Sequence, residues 1–217
     1  MGNGRSSRHR VAGTFAFVLA VTVGCADASS TSSRTHSVTG TSPSASSEVR
    51  PCDAADRTEQ AFVLGRGERH PFDVRIPELP GWQRNRGADE HGDGIGLQRR
   101  DTLTDDFRSP TAMMTVHVGD PVHSVEDAVA ANRRRAESSA RDWRTRDDLR
   151  ITTCGVQGGK ITGVFDGGQW WADRRVLVHV VGNVAYPIFL SAKTRLADMD
   201  RLGEDFTTMF DGVRALD

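Results

Sequence analysis

The sequence is short of the residues and patterns that several protein classes need. It has only three cysteines and no C-x-x-C pair, so a zinc-finger type of metal site is not predicted. Its first apolar segment, residues 11–24, is too short for a membrane-spanning helix, which needs roughly 20 residues. The H-E-x-x-H, G-x-S-x-G, S-x-x-K and phosphate-loop motifs are absent. The sequence therefore predicts no catalytic residue, no metal ligand and no cofactor.

The amino-terminal segment is typical of an export signal. Three arginines precede the apolar segment and a cysteine follows it directly: Arg5, Arg8, Arg10 and Cys25. The small residue before the cysteine resembles a bacterial lipobox. We expect residues 1–24 to be a lipoprotein signal peptide and Cys25 to carry the lipid that holds the protein on the extracytoplasmic face of the cell membrane. The alternatives are a retained leader and a secreted soluble protein, because residues 26–28 form an A-x-A site for ordinary signal peptidase.

Two further regions follow the signal. Residues 25–56 are rich in Ser and Thr with few apolar side chains, a composition that predicts a disordered, flexible tether. Residues 57–217 have the size of one globular domain. Cleavage before Cys25 leaves 25 basic against 29 acidic side chains, so no attraction to nucleic acid is expected. The expected partners are the membrane, through the lipid anchor, and an unidentified protein or cell-envelope ligand.

Cys52 and Cys154 remain as a pair if Cys25 carries lipid. In an exported protein such a pair favours a disulfide. The bridge would close a loop of about 100 residues, which the chain-entropy model values at up to ~4.7 kcal/mol. The alternative is two unrelated buried thiols.

Most of the domain has the pattern of β-strands. Apolar alternation and short apolar runs predict five of them: residues 72–76, 95–97, 111–118, 149–154 and 160–165. We expect Gly158 and Gly159 to separate the last two of these strands.

The clearest hairpin joins two apolar segments through a two-residue Gly-Asn turn: residues 175–181, the turn 182–183 and residues 184–191. Pairing across this turn places His179 opposite Tyr186. Because both faces of the hairpin are largely apolar, it should lie near the centre of the sheet. Pro187 lacks an N–H, so we expect a bulge or an unpaired edge there.

Two helices are predicted. Ser124, with Asp127 three residues later, is typical of a helix N-terminus. The three arginines at 133–135 interrupt the apolar stripe of this helix, and we interpret them as a solvated face or a partner-docking patch. Apolar residues recur every three or four positions from Leu196 to Val213, which predicts an amphipathic closing helix. The pattern indicates an α+β fold, an antiparallel β-sheet flanked by helices.

The order of these elements resembles that of a known family. A strand ends in the Pro-Gly-Trp turn 80–82, the Ser124 helix follows, and then come the glycine pair 158–159, the valine-rich hairpin and the closing helix. Preceded by the leader and tether, this order resembles the LpqN-type lipoproteins of actinobacteria over roughly residues 70–214. The resemblance implies a PsbP-like α/β/α sandwich and a binding or adaptor role, with no catalytic residues to carry over.

Four residues are candidates for a binding surface. Trp170 and Trp171 are adjacent, so on a strand one should enter the core and the other meet solvent or a partner; alternatively both pack under loops. His179, opposite Tyr186 amid apolar neighbours, is either a polar anchor in a ligand cleft or half of a hydrogen-bonded structural pair.

Two functions from different classes fit these features. The first is a membrane-anchored, non-catalytic binding or adaptor module, or a secreted soluble binding protein. The second is a cell-envelope hydrolase with dispersed catalytic residues. A hydrolase would need a Ser or Asp within hydrogen-bond reach of His179 or His117 in a concave pocket. We expect the binding module, because the export signal and tether are clear while no catalytic motif is present.

Overall fold

The computed structural model of the chain describes residues 60–89, 94–102 and 110–217. The predicted signal peptide (residues 1–24), the expected lipidation residue Cys25, the predicted tether (residues 25–56) and Cys52 lie outside the described residues.

Within the described residues, ten strands form two antiparallel sheets. The strands are β1 (Ala61–Leu64), β2 (Asp73–Pro77), β3 (Trp82–Arg84), β4 (Gly94–Arg99), β5 (Met113–Val118), β6 (Arg144–Thr153), β7 (Val156–Phe165), β8 (Trp170–Val181), β9 (Val184–Arg195) and β10 (Arg214–Leu216). The larger sheet has the order β3-β4-β5-β9-β8-β7-β6, and the smaller sheet has the order β1-β2-β10. The α-helices of this part of the chain are α1 (Val125–Ser139) and α2 (Met199–Asp211).

β8 and β9 form the hairpin that the sequence predicts. His179 pairs with Tyr186, and the predicted register is confirmed along the whole hairpin. Gly182 in the turn has a φ of +60°, a left-handed conformation that glycine adopts without steric cost. β9 lies between β8 and β5 in the middle of the larger sheet, so the central position of the hairpin is also confirmed.

Pro187 ends the pairing of β9 with β5 without a bulge. It pairs with Val178 on β8 in continuous register. Its carbonyl accepts a hydrogen bond from the Gly119 N–H at 2.9 Å, just beyond the end of β5. Because Pro187 has no N–H to return that bond, the ladder with β5 stops at this point. The structure therefore shows no bulge at Pro187, and the regular pairing of β9 with β5 ends beside it.

The prediction that Gly158 and Gly159 separate two strands is wrong. Both glycines lie inside β7, paired with residues of β8. A Cβ on Gly158 would overlap the carbonyl oxygen of Val176, and a Cβ on Gly159 would lie 2.7 Å from Cγ2 of Val129 on α1. The glycines are therefore required by close packing and not by a turn.

The two faces of the larger sheet pack against different layers. One face packs against α2 and the smaller sheet in the main core, which includes Phe72, Val116, Leu190, Phe206 and Phe210. The other face packs against α1 in a smaller cluster of Ala128, Val129, Val176, Val178 and Phe189. The α+β class is thus confirmed, but the described part is predominantly β with limited helical cover. The smaller sheet was not predicted, since β1 and β10 are short.

α1 begins where the sequence predicts. Ser124 is its N-cap, and the Ser124 hydroxyl oxygen accepts a hydrogen bond from the Asp127 N–H at 3.0 Å. The buried stripe of the helix is narrow, and it packs against β7 and β8. α1 therefore covers only part of its face of the sheet.

Candidate functional site

A cleft of about 440 Å³ lies beside α1, on the face of the larger sheet that this helix partly covers. This volume is in the range of small-molecule sites. The cleft floor is formed by strand residues, among them Thr115, His117, Arg174, Phe189, Ser191 and Lys193. One wall is formed by α1 through Asn132, Arg135, Ser138 and Ser139. The cleft is thus built from β5, β8, β9 and α1.

Strand pairing explains why the floor residues share one face. Ser191 pairs with Thr115 on β5 and with Arg174 on β8. Directly paired residues point to the same side of a sheet, and so do residues two positions apart on one strand. Lys193 lies two positions beyond Ser191 on β9. Arg174 and Lys193 therefore extend from neighbouring strands into the same cleft.

A stack of three side chains lies between this cleft and a second one of about 400 Å³, and it lines both. The His117 ring stacks on Phe189 with a centroid distance of 5.0 Å. The Arg135 guanidinium carbon lies 4.9 Å from the Phe189 centroid, and Arg135 Nη1 donates a hydrogen bond to His117 Nε2 at 2.7 Å. These contacts hold the Arg135 charge at the junction of the two clefts.

Within the described residues, Arg174 and Lys193 have no carboxylate within ion-pair distance. Arg174 Nη1 donates to the Arg135 carbonyl oxygen at 3.5 Å, and its guanidinium lies 5.7 Å from the Trp143 ring centroid. Arg174 Nε is buried without a hydrogen-bond partner. A buried donor left unpaired carries a free-energy cost.

The cleft holds a cluster of positive charges that no carboxylate among the described residues neutralises. Burial lowers the pKa of the Arg174 guanidinium, and the nearby Arg135 charge lowers it further. Desolvation also lowers the pKa of the Lys193 ammonium, with the Arg174 charge as the second cause. Burial and then the neighbouring positive charge therefore disfavour each cation, and a bound anion would relieve the charge repulsion.

On the opposite face of the sheet, the cations Arg175 and Lys160 are paired with carboxylates. Arg175 donates to Asp173 at 3.2 Å and to Asp211 at 2.7 Å. Lys160 Nζ lies 3.5 Å from the Asp173 carboxylate. Of the two lysines in the chain, Lys160 is thus paired with an acid, and Lys193 has no such partner in the part of the chain that the structure describes.

The two candidate tryptophans lie on opposite faces of β8, as strand alternation predicts. Trp171 packs on the main core, with its ring centroid 5.8 Å from that of Phe206. Trp170 stacks on Phe165 at 6.2 Å, and Phe165 stacks on Trp143 at 6.4 Å. Both candidates are half-buried, and neither lines the two clefts.

His179 and Tyr186 flank Phe72 at the other end of the hairpin. Their ring centroids lie 4.7 Å and 5.5 Å from that of Phe72 in edge-on geometry. His179 Nε2 lies 2.9 Å from Asp217 Oδ1, so its hydrogen-bond partner is Asp217 and not Tyr186. Eight residues of strand, about 27 Å, separate His179 from Trp171. The structure therefore does not bring the four candidates together into one surface.

Three other sequence predictions concern metal, membrane and disulfide. Among the described residues, no group of three or more His, Cys, Asp or Glu side chains is placed to hold a metal ion. Neither α-helix in this part of the chain has the length and apolar character needed to cross a bilayer. Cys154 lies in the turn between β6 and β7 with a φ of +53°. Its expected partner, Cys52, lies outside the described residues, so the disulfide stays a prediction.

Sequence reasoning missed Arg174 and Lys193. The hairpin strands were predicted to begin at residue 175 and end at residue 191, so both cations fell just outside them. If the side-chain alternation of the two hairpin strands had been extended by a few residues, Arg174 and Lys193 would both have been placed on the same face as Ser191. The arginine run at 133–135 serves two purposes: Arg133 pairs with Asp148, whereas Arg135 lines the cleft.

The comparisons with known proteins bear on the fold. No protein-family model and no curated protein matches the sequence. Among solved structures, LpqN of Mycobacterium tuberculosis, described as involved in cell envelope biogenesis, has a TM-score of 0.54 at 11% identity, covering 76% of this chain and 96% of LpqN. PsbP of the cyanobacterium Synechocystis has a TM-score of 0.44 at 11% identity, covering 71% and 91%. The predicted resemblance to LpqN is confirmed at the level of the fold.

Proposed function

We propose that this chain, which shares the fold of LpqN, is a lipid-anchored extracytoplasmic binding module that holds its ligand in the cleft beside α1. The open cleft of about 440 Å³ is the observation that carries this proposal. The layers of α1, larger sheet and α2 with the smaller sheet are interpreted as a variant of the PsbP-like α/β/α sandwich. LpqN's involvement in cell envelope biogenesis supports an envelope ligand or protein partner.

The two histidines considered for a hydrolase have structural contacts. His117 Nε2 accepts a hydrogen bond from Arg135, so this nitrogen is engaged by a cation and is a poor general base. His179 pairs with Asp217, but its ring packs on Phe72 and does not line either cleft. These contacts support a binding function over hydrolysis.

The Cys52–Cys154 disulfide remains part of the proposal. Cys154 Sγ lies 3.5 Å from the Asp211 carbonyl oxygen at the end of α2. A bridge at this turn would tie the end of the tether to the core of the domain. It would reduce the conformational freedom of the unfolded chain.

Replacing the lipidation residue tests the anchor. In a bacterial host that processes lipoproteins, we expect Cys25→Ser to shift the protein from the membrane fraction to the soluble fraction. Mass spectrometry of the wild-type amino-terminal peptide should show a lipid-modified Cys25. The control Cys52→Ser should stay in the membrane fraction. A wild-type protein that begins at Ser29 would favour secretion, and one with an intact leader in the cytosol would contradict export.

Filling the cleft tests the binding function. Ser191 lies on the cleft floor between Thr115 and Arg174, so Ser191→Trp should block the site. We expect native mass spectrometry of protein extracted from envelopes in a mild uncharged detergent to show a non-covalent adduct on the wild type and none on the variant. The control Asn183→Trp, in the exposed hairpin turn, should keep the adduct. An adduct on neither protein, or on both, would contradict the proposal.

A further inference from the structure

We propose that the cleft beside α1 binds a phosphate group of its ligand through Arg174, Lys193 and Arg135. This inference rests on the proposed binding function and adds the chemical class of the ligand. The three cations come from two strands and one helix, and all three line the same cavity. Within the described part of the chain none of them has a carboxylate partner.

The geometry of β8 and β9 allows the side chains of Arg174 and Lys193 to contact the same phosphate group. Arg174 is paired with Ser191, and Lys193 lies two residues further along β9. Diagonal neighbours of this kind have Cα atoms about 7–8 Å apart, within the reach of long side chains. Arg135 approaches from α1, and its carbonyl oxygen is 3.5 Å from Arg174 Nη1. The three side chains therefore surround a common volume.

Arg174 also has a structural role, since it donates to a carbonyl near the carboxyl end of α1. That contact uses one of its five N–H donors. Within the described residues the Arg174 side chain makes no other hydrogen bond, so the guanidinium donors that reach the cleft are left for an acceptor. A phosphate presents several oxygens and matches the planar fork of an arginine. The structural contact and the anion contact are compatible.

The rest of the lining indicates an organic phosphate. Hydroxyl groups of Thr115, Ser138 and Ser191 surround the cations and supply further donors. Met113 and Phe189 provide apolar surface in the same cleft. One carboxylate would leave most of these donors unused, whereas a phosphate accepts from several at once. The ligand is therefore either a phosphate-bearing lipid headgroup or a free phosphate compound.

The two lysines of this chain make a site-resolved test possible. Lys193 is exposed and lines the cleft, whereas Lys160 is paired with Asp173 on the other side of the sheet. The full mature chain in an uncharged detergent is treated with acetic anhydride, and acylation of each lysine is followed by mass spectrometry. One arm contains inorganic phosphate, a second contains short-chain phosphatidylglycerol, and a third contains NaCl at matched ionic strength.

We expect at least one phosphate arm to slow acylation of Lys193 by about tenfold or more relative to NaCl, with Lys160 unchanged. Protection by phosphatidylglycerol alone identifies a lipid headgroup, and protection by inorganic phosphate identifies a site that accepts free phosphate. Equal acylation of Lys193 in all three arms would overturn the assignment.

Two variants connect the protection to the cations. Arg174→Gln should weaken the apparent affinity for the protecting phosphate about tenfold or more. The control Arg134→Gln changes the net charge equally at an exposed helix position and should leave protection unchanged. If Arg174→Gln does not fold, Lys193→Gln is tested by calorimetric titration with the same compound. Wild-type affinity in a folded Arg174→Gln or Lys193→Gln protein would overturn the proposal.

The phosphate assignment and the general binding function can fail separately. If Ser191→Trp removes a bound molecule but no phosphate protects Lys193, the cleft is a binding site for another class of ligand. If native protein carries no adduct, the proposed function falls, whether or not inorganic phosphate protects Lys193.

Discussion

Replacing Arg175 with methionine is expected to lower the free energy of unfolding by roughly 3–5 kcal/mol. The Arg175 side chain is 7% exposed, donates to Asp173 and Asp211, and lies over the Phe210 ring at 4.5 Å. Methionine keeps part of the apolar contact but leaves the Asp173 carboxylate, which is 3% exposed, with Lys160 as its remaining cation. Urea unfolding followed by tryptophan fluorescence measures the loss.

An exposed ion pair provides the matched control. Arg201 Nη1 lies 3.1 Å from Asp101, and the two side chains are 48% and 55% exposed. Because solvent screens this pair, Arg201→Met should cost less than about 1 kcal/mol. The double variant Arg175→Met with Asp173→Asn should recover part of the loss by removing a buried charge that has lost one of its two cations. Equal losses in the two single variants would show that burial of the Arg175 network does not matter.

Gly158→Ala is expected to destabilise the domain by roughly 2–3 kcal/mol, a typical cost of overpacking. A Cβ at this position would overlap the Val176 carbonyl oxygen, which belongs to the backbone of the neighbouring strand β8. A backbone atom cannot move aside by changing rotamer, so β7 and β8 must separate locally. The change is measured as the shift in the urea midpoint at constant denaturant slope.

Gly65 provides the control, because a methyl group added there makes no clash. A Cβ on Gly65 would meet no atom within 4 Å, and the backbone there is not left-handed. Gly65→Ala should therefore change stability by less than about 0.5 kcal/mol. If Gly158→Ala is as mild as Gly65→Ala, the close approach of β7 to β8 is not a constraint on this fold.

The same glycine pair has a consequence for the cleft. Gly159 leaves room for Val129, so α1 sits close to the sheet over β7 and β8. This close packing sets the distance of α1 from the sheet and therefore the position of Arg135 over β9. The small residues of β7 thus help to position one wall of the candidate site, although they do not line it.

The predicted strands, hairpin and helix start came from local signals. The Gly-Asn turn and two-residue alternation place His179 opposite Tyr186, and Ser124 with Asp127 marks the start of α1. The strands β1 and β10 were missed because both are short, and β10 also pairs with β2, which is distant from it in sequence. The cleft residues Arg174 and Lys193 were missed for a similar reason, because they become neighbours only through the pairing of β8 with β9.

By itself, the order of residues determined the α+β class, the register of the central hairpin and the expectation of export. Each depends on nearest neighbours along the chain or on composition, which a single sequence displays directly. Only the tertiary structure decided which part of the sheet α1 covers and which cations of the described residues are left without an acidic partner. Those outcomes depend on packing between segments that are far apart in the chain, and burial and charge pairing are properties of that packing.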